Sequence, residues 1–121
     1  MSVFEKWSTA AANRDAAAMS GCLHAEYTFV RHQSGTTMNK SEMSAMLEGF
    51  MASTGVVIHS QRCLYENADV LVEQSMMNFS DGSREAVLSF HELRDGLIFK
   101  TETGATLSLI HISEPTRQKP I

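Results

Sequence analysis

Residues Leu23–Gly35 read LHAEYTFVRHQSG. Within them EYTFVRH alternates as a strand does, with Tyr27, Phe29 and Arg31 on one face and Thr28, Val30 and His32 on the other. The loop QSGTTM follows. This strand decides the fold because both of its flanks are helical, while everything after Gly55 reads as strand.

On the N-terminal side, Ser2 followed by Glu5 forms a capping-box pattern, and Phe4, Trp7 and Ala11 share one face of the helix it starts. That helix runs to about Ala12. Asn13-Arg14-Asp15 breaks it, and Asp15 caps a second helix on which Met19, Cys22 and Leu23 align; Gly21 weakens this helix. Beyond the loop, Asn39 and Glu42 mark a third helix. Its stripe of Met43, Met46, Leu47, Phe50 and Met51 reads as core packing, with methionines filling irregular space.

From Gly55 the runs VVIHSQRCLYE, DVLVEQSMMNF, REAVLSFHEL and LIFKTETGAT are separated by Asn67-Ala68-Asp69, Asp81-Gly82 and Asp95-Gly96. These are hairpin or short-turn signals, and consecutive hairpins make an antiparallel meander. Several strands carry apolar residues on both faces, for example Leu88 and Phe90 against Val87 and Leu93. A sheet covered by helices on one face and apolar on the other predicts a homodimer through the outer face.

A chain of 121 residues that is 43% hydrophobic supplies one domain with a real core. No segment reaches the ~20 apolar residues of a membrane span, and the start MSVFEKWS lacks the basic and apolar regions of a signal peptide, so the expected location is cytoplasmic. The net charge of −4, with no basic cluster, argues against nucleic acid or anionic membranes as partners. Cys22 and Cys63 form no Cys-x-x-Cys motif and read as buried free thiols.

The C-terminal stretch Leu107–Arg117, LSLIHISEPTR, resembles a translated reading frame of a transposon-type sequencing-library adapter. The expected domain is therefore residues 1–106, with eight Lys and Arg against thirteen Asp and Glu, and 107–121 is expected to be a non-native tail. His111, Glu114 and Arg117 are accordingly left out of the functional reading.

Three helices, a strand between the second and third, then four long antiparallel strands resemble the nuclear transport factor 2 superfamily, which includes SnoaL-like polyketide cyclases and ketosteroid isomerases. The local markers are Trp7 in the first helix, Asn13-Arg14-Asp15 before the second, LHAEYTFVRHQSG, and FHELRDGLI in the penultimate hairpin. The resemblance implies an α+β, cone-shaped fold: three N-terminal helices packed on a curved antiparallel sheet, with a pocket between them. Such folds host isomerases, dehydratases, cyclases, epoxide hydrolases and binding modules, so function must come from the site.

In ketosteroid isomerases the general-base aspartate ends the first strand, and the resemblance, matched without gaps, puts His32 there. An imidazole titrates near neutral pH and suits proton transfer. The same resemblance faces Ser89, His91 and Leu93 to the interior, puts Ser89 where those isomerases hold a protonated aspartate, and puts Trp7 where they hold the oxyanion-hole tyrosine. An indole N–H and a serine hydroxyl do not reproduce strong enolate stabilisation, which argues against steroid isomerisation.

The implied site has His32 and His91 as catalytic residues and Trp7, Tyr27, Phe50 and Ser89 contacting substrate, walled by Met43 and Leu47, with no metal and no cofactor. If the two imidazoles meet, one abstracts a proton while the other stabilises an oxyanion on an apolar carbonyl compound, as in isomerisation, cyclisation or dehydration. The alternative is a non-catalytic module that binds a small apolar metabolite, or a dimerisation domain; both imidazoles then only satisfy buried polar groups. Other features are weaker. His59 shares an expected face with Gln61 and Cys63, the histidines give no local metal-ligand spacing, and mid-strand Glu73 needs a partner, with Arg31 and Arg62 as candidates.

Overall fold

The computed structural model describes residues 2–32 and 34–107 of the chain. Both expected capping boxes form. Ser2 Oγ accepts from the Glu5 amide while the Glu5 carboxylate accepts from the Ser2 amide, starting helix α1 (Val3–Ala12). Asn39 and Glu42 exchange the same pair of bonds to start α3 (Lys40–Ala52). Between them, the Asp15 carboxylate accepts from the Ala18 amide and opens the short α2 (Ala16–Gly21). Arg14, at a positive φ of 53°, donates to the carbonyls of Phe50, Met51 and Ser53, so the break between α1 and α2 caps the end of α3.

Six strands make one sheet in the order β2-β1-β6-β5-β4-β3. They are β1 (Leu23–Arg31), β2 (Thr36–Asn39), β3 (Val57–Glu66), β4 (Val70–Asn78), β5 (Arg84–Arg94) and β6 (Leu97–Leu107). The last four form the expected antiparallel meander, and the Arg94–Leu97 hairpin closes on Asp95 and Gly96, both at positive φ, as a two-residue primed turn requires.

Two features correct the sequence reading. Thr36–Met38, expected as loop, joins Asn39 in β2 (Thr36–Asn39), which pairs with β1 as an antiparallel edge strand. β1 lies parallel to β6, the farthest strand in sequence, which makes the first strand an inner one, between β2 and β6. Among the described residues the fold is thus α+β, with a six-stranded curved sheet and three helices.

Helix α3 seats its stripe as expected. Met43, Leu47 and Met51 are buried, each burial contributing ~1.5–3 kcal/mol, while Met46 and Phe50 pack half-buried at its margin. The core continues through Trp7, Met19, Leu23, Phe29, Leu71 and Ile98. Cys22 is buried as expected, whereas Cys63, also expected to be buried, is exposed. Among the described residues no helix is long and apolar enough to cross a membrane. Leu107, the first residue of the expected tail, lies in β6, and residues 108–121 are outside the described residues.

Candidate functional site

The concave face of the sheet and the helices α1 and α3 enclose a cavity of about 270 Å³. Strand alternation selects its floor: Tyr27, Phe29 and Arg31 from β1, Glu73, Ser75 and Met77 from β4, Glu85, Val87, Ser89 and His91 from β5, and Thr101 and Thr103 from β6 all line it. A β-bulge at Ser60, with φ of 56°, shifts the phase of β3, so that Ile58 and Gln61, three residues apart, both face inward. That shift separates His59 from Gln61; His59 instead sits 3.2 Å from Asn78 Oδ1.

The deepest polar cluster is a chain of three side chains. His91 Nε2 lies 2.5 Å from Glu73 Oε2, and His91 Nδ1 lies 2.7 Å from Thr101 Oγ1. His91 is 2% exposed and Glu73 4%. The register explains the contact: Leu71 stands opposite His91 and Glu73 opposite Ser89, so Glu73 and His91 are diagonal neighbours on one face. Glu73 is therefore satisfied by His91, whereas Arg62, one of its expected partners, donates to Gln74 on the outer face. The Trp7 ring stands edge-on to His91, with ring centroids 6.2 Å apart.

Tyr27 supplies the second polar feature. Its hydroxyl is buried without a hydrogen-bond partner among the described residues, although the Thr101 hydroxyl, which meets His91, stands nearby. Burial pushes the phenol above the ordinary tyrosine range, the Thr101 hydroxyl pulls the other way, and the nearby Glu73 carboxylate adds to the rise, so the group stays a neutral donor. A buried donor with nothing to bind is costly, and a ligand oxygen would relieve it.

Of the residues expected in the site, Trp7, Tyr27, Phe50, Ser89 and His91 line the cavity, as do Met43 and Leu47. His32 does not. Its side chain is 64% exposed just past the end of β1, and its Nε2 lies 2.7 Å from Glu102 Oε1. Alternation is the cause: Tyr27, Phe29 and Arg31 point inward, and the next residue points out. His32 and His91 therefore share no pocket, and the residue that β1 aims into the cavity at this end is Arg31. The sequence reading missed Arg31, Glu73 and Thr101 as site residues, although the alternation already grouped Arg31 with Tyr27 and Phe29 and Glu73 stood out as a mid-strand carboxylate in need of a partner. Among the described residues, no three His, Cys, Asp or Glu side chains are grouped to hold a metal ion.

Residues 4–101 match the family model of the SnoaL-like domain. The fold is similar to that of a nuclear transport factor 2-like protein of unknown function from Mesorhizobium loti, at TM-score 0.76 and 11% identity over 86% of this chain and 88% of that one. It is also similar to a Kribbella flavida protein provisionally assigned as a ketosteroid isomerase, at TM-score 0.73 and 13% identity over 98% of this chain and 88% of that one. An LEH-like epoxide hydrolase of M. tuberculosis aligns at TM-score 0.66 and 12% identity, over 86% of this chain and 80% of the hydrolase. No curated protein is a significant sequence match. At these identities the likenesses carry the fold alone.

Proposed function

This chain belongs to the SnoaL-like domain family, and on that premise we propose that its cavity binds a small apolar carbonyl compound and moves a proton on it without a cofactor. The observation that carries this reading is the buried Glu73–His91–Thr101 chain at the floor of a largely apolar cavity, beside the Tyr27 hydroxyl, which has no partner among the described residues. Glu73 Oε1 has no hydrogen-bond partner among the described residues, and Glu73 lines the cavity.

In the proposed step Glu73 takes the proton from a carbon next to the carbonyl. The C–H electron pair passes into the enolate, and Tyr27 donates to the oxygen that gains the charge. The proton then returns to the same or another carbon. His91 holds the carboxylate in place and is a positioning residue, because both of its ring nitrogens are already engaged. Trp7, Phe50 and Ser89 contact the substrate. Isomerisation, cyclisation and dehydration all begin with this proton transfer.

The test is deuterium exchange at the α-carbon of 1-tetralone in D2O, followed by proton NMR. The protein is expected to accelerate exchange over buffer, and Glu73→Gln is expected to return it to the buffer rate with circular dichroism unchanged. Wild-type exchange no faster than buffer would sink the catalytic reading.

A second reading, a binding module that releases its ligand unaltered, draws support from the same full occupation of His91. Its signature is saturable binding without exchange. Either reading includes a second copy of this chain on the outer sheet face, supported by the exposed Leu64, Tyr65, Leu88 and Phe90.

A further inference from the structure

We infer that Arg31 anchors the carboxylate of an anionic ligand, so that the cavity takes apolar monocarboxylates, such as oxo acids, in preference to neutral molecules of the same shape. The inference rests on the small-molecule reading of the cavity and names the class of molecule it holds.

Arg31 is half-buried and lines the cavity, yet no carboxylate of the described residues lies within 4.0 Å of its guanidinium. Its contacts are poor ones. One Nη is 3.8 Å from the Met46 sulfur, and the guanidinium carbon is 5.7 Å from the centroid of the Phe29 ring. A thioether is a weak acceptor and a ring face offers no lone pair, whereas a guanidinium presents five donors in a fork that fits a carboxylate. Glu85 lines the same cavity without pairing with Arg31, so the fork is left for something else.

The sheet register gives the fork a purpose. Arg31 pairs with Thr103, Thr103 with Ser89, and Ser89 with Glu73. These four residues form one polar row across the concave face, with the cation at one end, the carboxylate at the other and two hydroxyls between. Three strand spacings separate the backbones of its ends, about 14 Å. The charges are too far apart to neutralise one another directly, and a ligand lying along the row meets a group that holds an anion at one end and the proton-transfer pair at the other.

The charge on the ligand follows from what surrounds it. One guanidinium stands in a cavity that also contains Glu73 and Glu85, in a chain of net charge −4. That balance suits a single negative charge and disfavours a phosphate dianion, which would bring a second charge with no partner. Met46, Leu47 and Phe50 then wall the hydrocarbon part between the two ends.

The probes are 4-phenylbutanoate and its neutral amide, 4-phenylbutanamide, titrated calorimetrically at pH 7 into the full chain. The acid is expected to bind at least about tenfold tighter than the amide, the scale of a charge-assisted pair. Arg31→Gln is expected to abolish the preference for the acid over the amide, while Arg31→Lys keeps part of it. An amide that binds as tightly as the acid, or an Arg31→Gln variant that keeps the preference, overturns the anchor and leaves the pocket reading standing. Failure of both probes to bind overturns the two together. The wild-type ratio decides the matter alone should either variant fail to fold.

Discussion

His91 Nε2 and Glu73 Oε2 meet at 2.5 Å on adjacent strands, both side chains almost wholly buried. Among the described residues neither of these two atoms has another hydrogen-bond partner, so replacing one side chain by an apolar one leaves the other buried and unpaired. Glu73→Leu and His91→Leu are each expected to lower the unfolding free energy by about 1–3 kcal/mol in urea titrations. The double variant is expected to lose less than the sum of the two, because the contact is removed only once. Strict additivity would mean the pair does not act as a unit.

Tyr27 makes the opposite prediction for stability. Its hydroxyl is buried and unpartnered, so Tyr27→Phe is expected to leave stability at neutral pH unchanged or raise it by up to ~1 kcal/mol, while slowing tetralone exchange. The pH dependence has a definite sign. The folded phenol holds its proton above the ordinary value of 10.0, so between that pH and its raised pKa the native state binds a proton the unfolded chain has lost. Stability should therefore fall as pH rises above about 10, and the fall should be shallower in Tyr27→Phe. Urea midpoints measured from pH 8 upward check this; identical slopes in both proteins would refute it.

What could be read from the sequence divides along the line between local and distant interactions. Ser2–Glu5 and Asn39–Glu42 form their capping boxes, and Asp95-Gly96 its turn, because each is decided by atoms within four residues. The placement of β1 beside β6 depends on strands some seventy residues apart, and nothing in Leu23–Arg31 names that neighbour. The same holds for Glu73: its mid-strand position announced that it needs a partner, but only the β4–β5 register selects His91 over Arg31 or Arg62. His32 failed for another reason. A gap-free match fixes position only to the nearest residue, and on a strand one residue is the difference between cavity and solvent.

His32 should then be dispensable for chemistry. His32→Ala is expected to leave tetralone exchange and probe binding within about twofold of wild type; a tenfold loss would return it to the site. Its effect belongs to Glu102, whose carboxyl is held below the usual glutamate range first by the hydrogen bond from His32 and further by Lys100. Because that pKa is depressed in the fold, the contact supports stability above the ordinary glutamate value and loses its effect as pH falls through the folded one. Carboxyl-carbon NMR titration should show the Glu102 midpoint moving up in His32→Ala.

The outer sheet face carries the last expectation. Tyr65 stands opposite Val72 and Val72 opposite Phe90, with Leu64 and Leu88 adjacent, and Tyr65 and Phe90 remain 57% and 39% exposed. Large apolar side chains in neighbouring strands form a contiguous patch rather than scattered exposure, and two copies related by a twofold axis would bury it symmetrically. Sedimentation at micromolar concentration is expected to give a dimer for the wild type and a monomer for Phe90→Glu, since a charge buried at the centre of such an interface has no partner. The cavity lies on the other face of the sheet, so the monomeric variant should keep its probe affinity. A wild-type monomer, or a Phe90→Glu protein that still dimerises, would remove this face from the assembly.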